Sequence, residues 1–107
     1  MMNPRDFALQ ETMHDGSRTL QLEGELDLAS VEVLQTALAR PTDGTRALTL
    51  DLSGLRFIDS SGLHAILWAR DLCEQNGFQF SLVPGPAAVQ RPFEVTHLLD
   101  VLPFTAA

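Results

Sequence analysis

Two alternating apolar runs, RALTLDLSG at 46–54 and FQFSLV at 78–83, flank a stretch in which apolar residues recur at helical spacing. In the first run Leu48, Leu50 and Leu52 fall on one side and Ala47, Thr49 and Asp51 on the other, the period of a half-buried strand. In the second, Phe78, Phe80 and Leu82 share a side. Between them Leu63, Ile66, Ala69 and Cys73 line one helical stripe, widened by Leu67 and Leu72, while His64, Asp71 and Gln75 gather opposite. The spacing predicts a helix from Ser61 to about Asn76, stopped by Gly77. Strands at 47–52 and 78–83 joined by such a helix form a βαβ unit, whose strands are parallel and whose crossover is right-handed. That unit commits the chain to a sheet covered by helices on at least one face.

The flanking segments fit the same plan. Residues 7–13 place Phe7, Leu9 and Met13 on one side of a strand, and Asp15-Gly16 is a favoured hairpin dipeptide. RTLQLEGEL at 18–26 alternates, with Leu20, Leu22 and Leu26 facing one way. Gly24 interrupts the apolar side, as at a bulge or a close backbone approach. From Asp27 the period changes to helical: Val31, Leu34 and Leu38 recur with Ala37 beside them, and Asp27 and Ser30 are both candidate N-caps. Pro41 to Gly44 end that helix. Pro86 suits the first turn of a last helix over AAVQRPFEVTHLL, which Pro92 should kink or split. VLPF at 101–104 would add a short final strand. The expected class is thus α/β, one domain over 1–107 with a small mixed sheet flanked by about three to four helices.

Composition narrows function more than fold. Seven basic against fourteen acidic residues give a net charge of −7. Nucleic-acid binding needs a positive stripe, so that class is excluded. Such acidity keeps a protein soluble, and it also steers basic protein partners. No apolar run reaches the ~18 residues of a membrane helix and MMNPRDFALQ has no signal pattern, so the expectation is a cytoplasmic protein without a membrane partner. The lone Cys73 has no disulfide partner, and His14, His64 and His97 are too scattered for a zinc site. Neither a metal nor a cofactor is expected.

Chemistry concentrates at Asp59-Ser60-Ser61-Gly62, the junction between the first βαβ strand and its helix. Carboxyl ends of strands in open αβ sheets are where sites form. Four readings compete. In the simplest, Asp59 or Ser60 caps the helix and Gly62 eases its entry. A serine nucleophile would need Gly-x-Ser-x-Gly, whereas position 58 is Ile58 and position 60 is Ser60. His64 lies one turn from Ser60, but no carboxylate is placed to orient it as a base. A phosphate cradle has the helix N-terminus but neither a Gly-rich loop nor a lysine, with Arg56 on the wrong side. Finally, an exposed serine here could itself be a substrate, gaining about −1.5 to −2 charges on phosphorylation. Local chemistry leaves the first and last readings open.

The segments LEGELDLAS at 22–30, LTLDLSGLRFIDSSGL at 48–63 and VPGPAAVQRPFEVTHLLDVLPF at 83–104 together resemble the STAS domain family, in the family's order and over nearly the whole chain. The resemblance to free-standing anti-sigma factor antagonists implies a non-enzymatic switch. Ser60 is then the phosphoacceptor of a serine-kinase anti-sigma factor, and phosphate ends binding of that partner. Asp59, Ser61 and Gly62 support the acceptor loop. Asp27 lies on the family's partner-binding face, with His64 and Trp68 as further candidates. Trp68 sits at the edge of the apolar stripe, where burial is the simpler reading; exposed, it would suit a partner anchor. A monomer or weak dimer is expected. The alternatives are an adaptor or scaffold subunit of a stress-signalling or lipid-transport complex and, third, a small-ligand sensor. The chain departs from the family pattern at Thr96-His97-Leu98, where Thr-Gly-Leu is usual, and at Pro92.

Overall fold

The computed structural model describes residues 6–40 and 43–105. Their order is β1 (Phe7–His14), β2 (Ser17–Leu26), α1 (Val31–Ala39), β3 (Ala47–Ile58), α2 (Ser60–Asn76), β4 (Gln79–Val83) and α3 (Ala87–Val95). The strands form one mixed sheet in the order β1-β2-β3-β4. β1 is antiparallel to β2, while β2, β3 and β4 run parallel. This is the expected small mixed sheet, with three helices.

The hairpin closes at Asp15 and Gly16, both left-handed at φ 50° and 81°, so the turn follows the strands' own twist. Alternation then sorts the sheet into two faces. Leu20, Leu22, Leu26, Leu48, Leu50, Leu52 and Leu82 are buried in one core with Leu34, Leu38, Ile66, Val89 and Phe93 of the helices. The other face keeps exposed Gln21 and Glu23 and half-buried Thr19, Thr49 and Ser81. Phe7 and Leu9 join the core side, but Met13, expected beside them, is exposed. Gly24 makes the close backbone approach anticipated for it, since its φ is 92° and an added Cβ would strike the Asp6 carbonyl; the bulge beside it belongs to β3, which carries the extra residue between Leu55 and Phe57.

Three expectations need correction. β3 continues to Ile58, well beyond residue 52, because register shifts against β2 insert extra residues. After them the inward side chains are Leu52, Leu55 and Ile58, three apart, so the period of two disappears while the strand goes on. VLPF makes only an isolated parallel bridge, Leu82 with Phe104. Leu82 donates to the Pro103 carbonyl and Thr105 to that of Leu82, covering β4's outer edge. Pro92 does not split α3, which runs through it to Val95; fully buried Val89 and Phe93 hold the turns on either side.

Helix ends follow local chemistry. Pro86 stands at the N-cap of α3, one place before its first turn. α2 begins at Ser60, one residue early, and closes on left-handed Gly77. α1 ends at Ala39; of the stop expected at 41–44, Pro41 and Thr42 lie outside the described residues. Beneath α1 sits Arg18, a buried charge that pattern did not flag. Its Nε and Nη2 donate to Glu11 of β1 at 3.0 and 3.2 Å, and Nη2 donates to the Ala37 carbonyl at 2.7 Å. A cation is favoured there by the negative end of the α1 dipole.

Candidate functional site

The carboxyl ends of β2 and β3 lie side by side, Leu26 registered against Ile58, so the two loops that leave them are neighbours. One carboxylate joins them. Asp59 is the N-cap of α2, with Oδ1 accepting from the Gly62 amide at 3.1 Å. Its Oδ2 accepts from the Leu28 amide, across the gap, at 3.3 Å. The Asp59 amide in turn donates to the Leu26 carbonyl.

Gly62 packs rather than bends. An added Cβ would lie 2.6 Å from Ile58 Cγ1 and 2.8 Å from the Leu26 carbonyl oxygen, so only glycine lets the first turn sit this close to the sheet. Ser61 is half-buried beside it. Ser60, the first residue of the helix, is exposed. Its hydroxyl stands at the positive end of a 17-residue helix, where added negative charge is stabilised.

The neighbouring loop is equally ordered. Asp27 Oδ1 accepts from the amides of Ala29 and Ser30, both at 3.1 Å, capping the turn ahead of α1. Ser30, the other candidate cap, makes no capping bond; its Oγ donates to the Glu25 carbonyl at 2.7 Å and accepts from the Asp27 amide. The two readings therefore resolve into two jobs, Asp27 capping and Ser30 anchoring.

Ser60, His64 and Trp68 are spaced four apart along α2 and so share one side of it. His64 is exposed, and Trp68 is 37% exposed, a half-open indole rather than a core residue. Asp27 is half-buried with its carboxylate engaged. The structure thus gathers Asp27, Asp59, Ser60, Ser61 and Gly62 at one rim and extends a stripe from them through His64 to Trp68. Leu28 is the member that pattern missed. It continues both the alternation from Leu26 and the spacing to Val31, which assigns it to the core. Instead it is 76% exposed, since the capped turn points it outward; the caps on either side were the only signal.

No described helix is long and apolar enough to cross a membrane. Among the described residues no group of three or more His, Cys, Asp or Glu could hold a metal ion.

The osmosensory protein A of Mycobacterium tuberculosis is 30% identical over 79 residues, 74% of this chain, and the chain spans only 50% of that protein's length. The anti-sigma-B factor antagonist of Staphylococcus aureus is 27% identical over 88% of each chain. The crystal structure of an anti-sigma factor antagonist from Mycobacterium paratuberculosis superposes with TM-score 0.83 at 26% identity, covering 100% of this chain and 92% of that one. The phosphorylated form of the Bacillus cell-fate determinant SpoIIAA shares the fold, with TM-score 0.71 at 20% identity over 92% of each chain. The STAS domain model matches residues 8–107, so the chain belongs to the STAS domain family, whose members are non-catalytic regulatory modules.

Proposed function

We propose that this chain is an anti-sigma factor antagonist switched by phosphorylation of Ser60. The partner is an anti-sigma factor that is also a serine kinase. Unphosphorylated, the chain occupies that partner and frees a sigma factor; phosphate at Ser60 ends the complex. The observation that carries the reading is the placement of Ser60, an exposed hydroxyl at the first position of α2, on a rim whose backbone is held by Asp59 and Asp27. Phosphate there meets the positive end of the helix dipole, so the fold tolerates it. A docked protein would instead face a new dianion beside Asp59, and like charges in a closed interface repel. The likeness to the S. aureus antagonist over 88% of each chain supports an anti-sigma factor as the partner. A cytoplasmic location belongs to the same proposal.

The test is incubation with the kinase-type anti-sigma factors of the same genome and ATP, followed by intact mass and peptide mapping. One phosphate is expected, on Ser60, and none on Ser60→Ala. Ser60→Asp should weaken binding of the kinase and leave the melting midpoint nearly unchanged. Failure of every such kinase to modify the wild-type chain would favour the second reading, an adaptor or scaffold subunit. That reading draws on the osmosensory likeness, in which the matched portion is half of a longer protein.

A further inference from the structure

Leu28 is the most exposed large apolar side chain among the described residues, yet the backbone that carries it is closely hydrogen-bonded. Its own amide donates to Asp59 Oδ2. The Asp27 amide donates to Ser30 Oγ, and those of Ala29 and Ser30 to Asp27 Oδ1. The Val31 amide donates to the Asp27 carbonyl at 2.8 Å. Five consecutive amides, 27 to 31, are therefore satisfied within the site. A loop whose backbone is held by such a framework has little main-chain freedom left to lose when a partner buries the side chain it presents, the condition under which a contact converts into affinity.

The same carboxylate that pins Leu28 also caps the helix bearing Ser60. We infer that Leu28 is the anchor by which the kinase partner recognises this chain, and that Asp59 is the positioning residue that sets Leu28 beside Ser60. The inference rests on the proposed function. The partner it calls for has an apolar socket next to its phosphoryl-transfer centre, where a leucine enters as the hydroxyl does. Charge supplies encounter: a chain of net charge −7 is drawn to a basic kinase surface. Selection among kinases falls to the socket, because burying a leucine discriminates where long-range attraction does not.

The experiment measures phosphotransfer from the kinase-type anti-sigma factor that modifies the wild-type chain best. Leu28→Ser should raise KM for the acceptor about tenfold, with kcat within about twofold and an unchanged melting midpoint. Leu28→Met, similar in size, should restore most of the affinity. Asp59→Ser keeps a capping oxygen for Gly62 but cannot also reach Leu28, so it too should raise KM. The double variant should be little worse than Leu28→Ser alone, since the two changes remove one device. Wild-type KM in Leu28→Ser overturns the anchor. Additive effects of the two substitutions overturn the role given to Asp59. No transfer to the wild-type chain from any kinase overturns the phosphoacceptor reading itself, and the anchor falls with it.

Discussion

His97 holds a backbone conformation that most side chains avoid, at φ 60°. It follows the C-cap of α3, its amide donating to the Glu94 carbonyl and that of Leu98 to the Phe93 carbonyl. Those two bonds define the helix-ending motif whose left-handed residue is ordinarily glycine. The departure from Thr-Gly-Leu visible in the sequence is therefore a local strain in the fold. Replacing His97 with glycine should stabilise the protein by about 1 kcal/mol and raise the melting midpoint by roughly 4 °C in a thermal unfolding experiment. An unchanged midpoint would show that neighbouring contacts of the imidazole already offset the strain. Single-residue chemistry of this kind was largely legible beforehand: Asp27, Asp59 and Gly77 act through backbone groups a few residues away. Leu28 was not, because which way a capped turn points depends on the second loop behind it.

Strand β1 is the edge of the sheet opposite β4, and it carries Glu11 on its inward face, against Arg18. A charge pointing inward from an edge strand discourages pairing with a second edge, since a slipped or doubled strand would bury it without its partner. The hydrogen bond from Arg18, aided by the charges of Arg18 and Arg40, holds the Glu11 carboxyl below its ordinary range against the upward push of desolvation. With the folded value below the unfolded one, the stabilisation is present above the unfolded pKa and disappears as pH falls through the folded value. Glu11→Gln should lose roughly 2 kcal/mol at neutral pH in denaturant titration, because Arg18 at 4% exposure would be left with a neutral partner. The difference from wild type should shrink on acidification; a constant difference would mean that packing, not charge, is responsible. Elements were read well where one period ran uninterrupted, as in β2 and α2. β3 was cut short because its bulges change the spacing of Leu52, Leu55 and Ile58. The Glu11–Arg18 pair lies diagonally across the hairpin whose register the Asp15-Gly16 turn sets, but the burial of Arg18 comes from α1, whose Ala37 carbonyl it reaches from 19 residues away.

Across the whole molecule, one apolar core joins the inward sheet face to all three helices, and Cys73 lies within it. Burial pushes its thiol up from the ordinary cysteine value. A buried, protonated thiol reacts only when the core opens, so a thiol reagent should modify the native protein at least about a thousandfold more slowly than the unfolded chain. Faster labelling would reveal local opening of α2, the helix that carries Ser60. The principal extents, 35 × 33 × 22 Å, describe a slab of two layers, helices on one side and sheet on the other. Thr12, Thr19, Thr49 and Ser81 are registered across all four strands, and the hydroxyls of Thr49 and Ser81 lie 2.8 Å apart. With Thr12 exposed and the other three half-buried, this hydroxyl-bearing row follows the broad face opposite the core, which no described helix covers, while Ser60 stands on the rim. A body docked at the rim and a body lying on the broad face would have separate footprints, so the geometry of the slab allows both to be held at once.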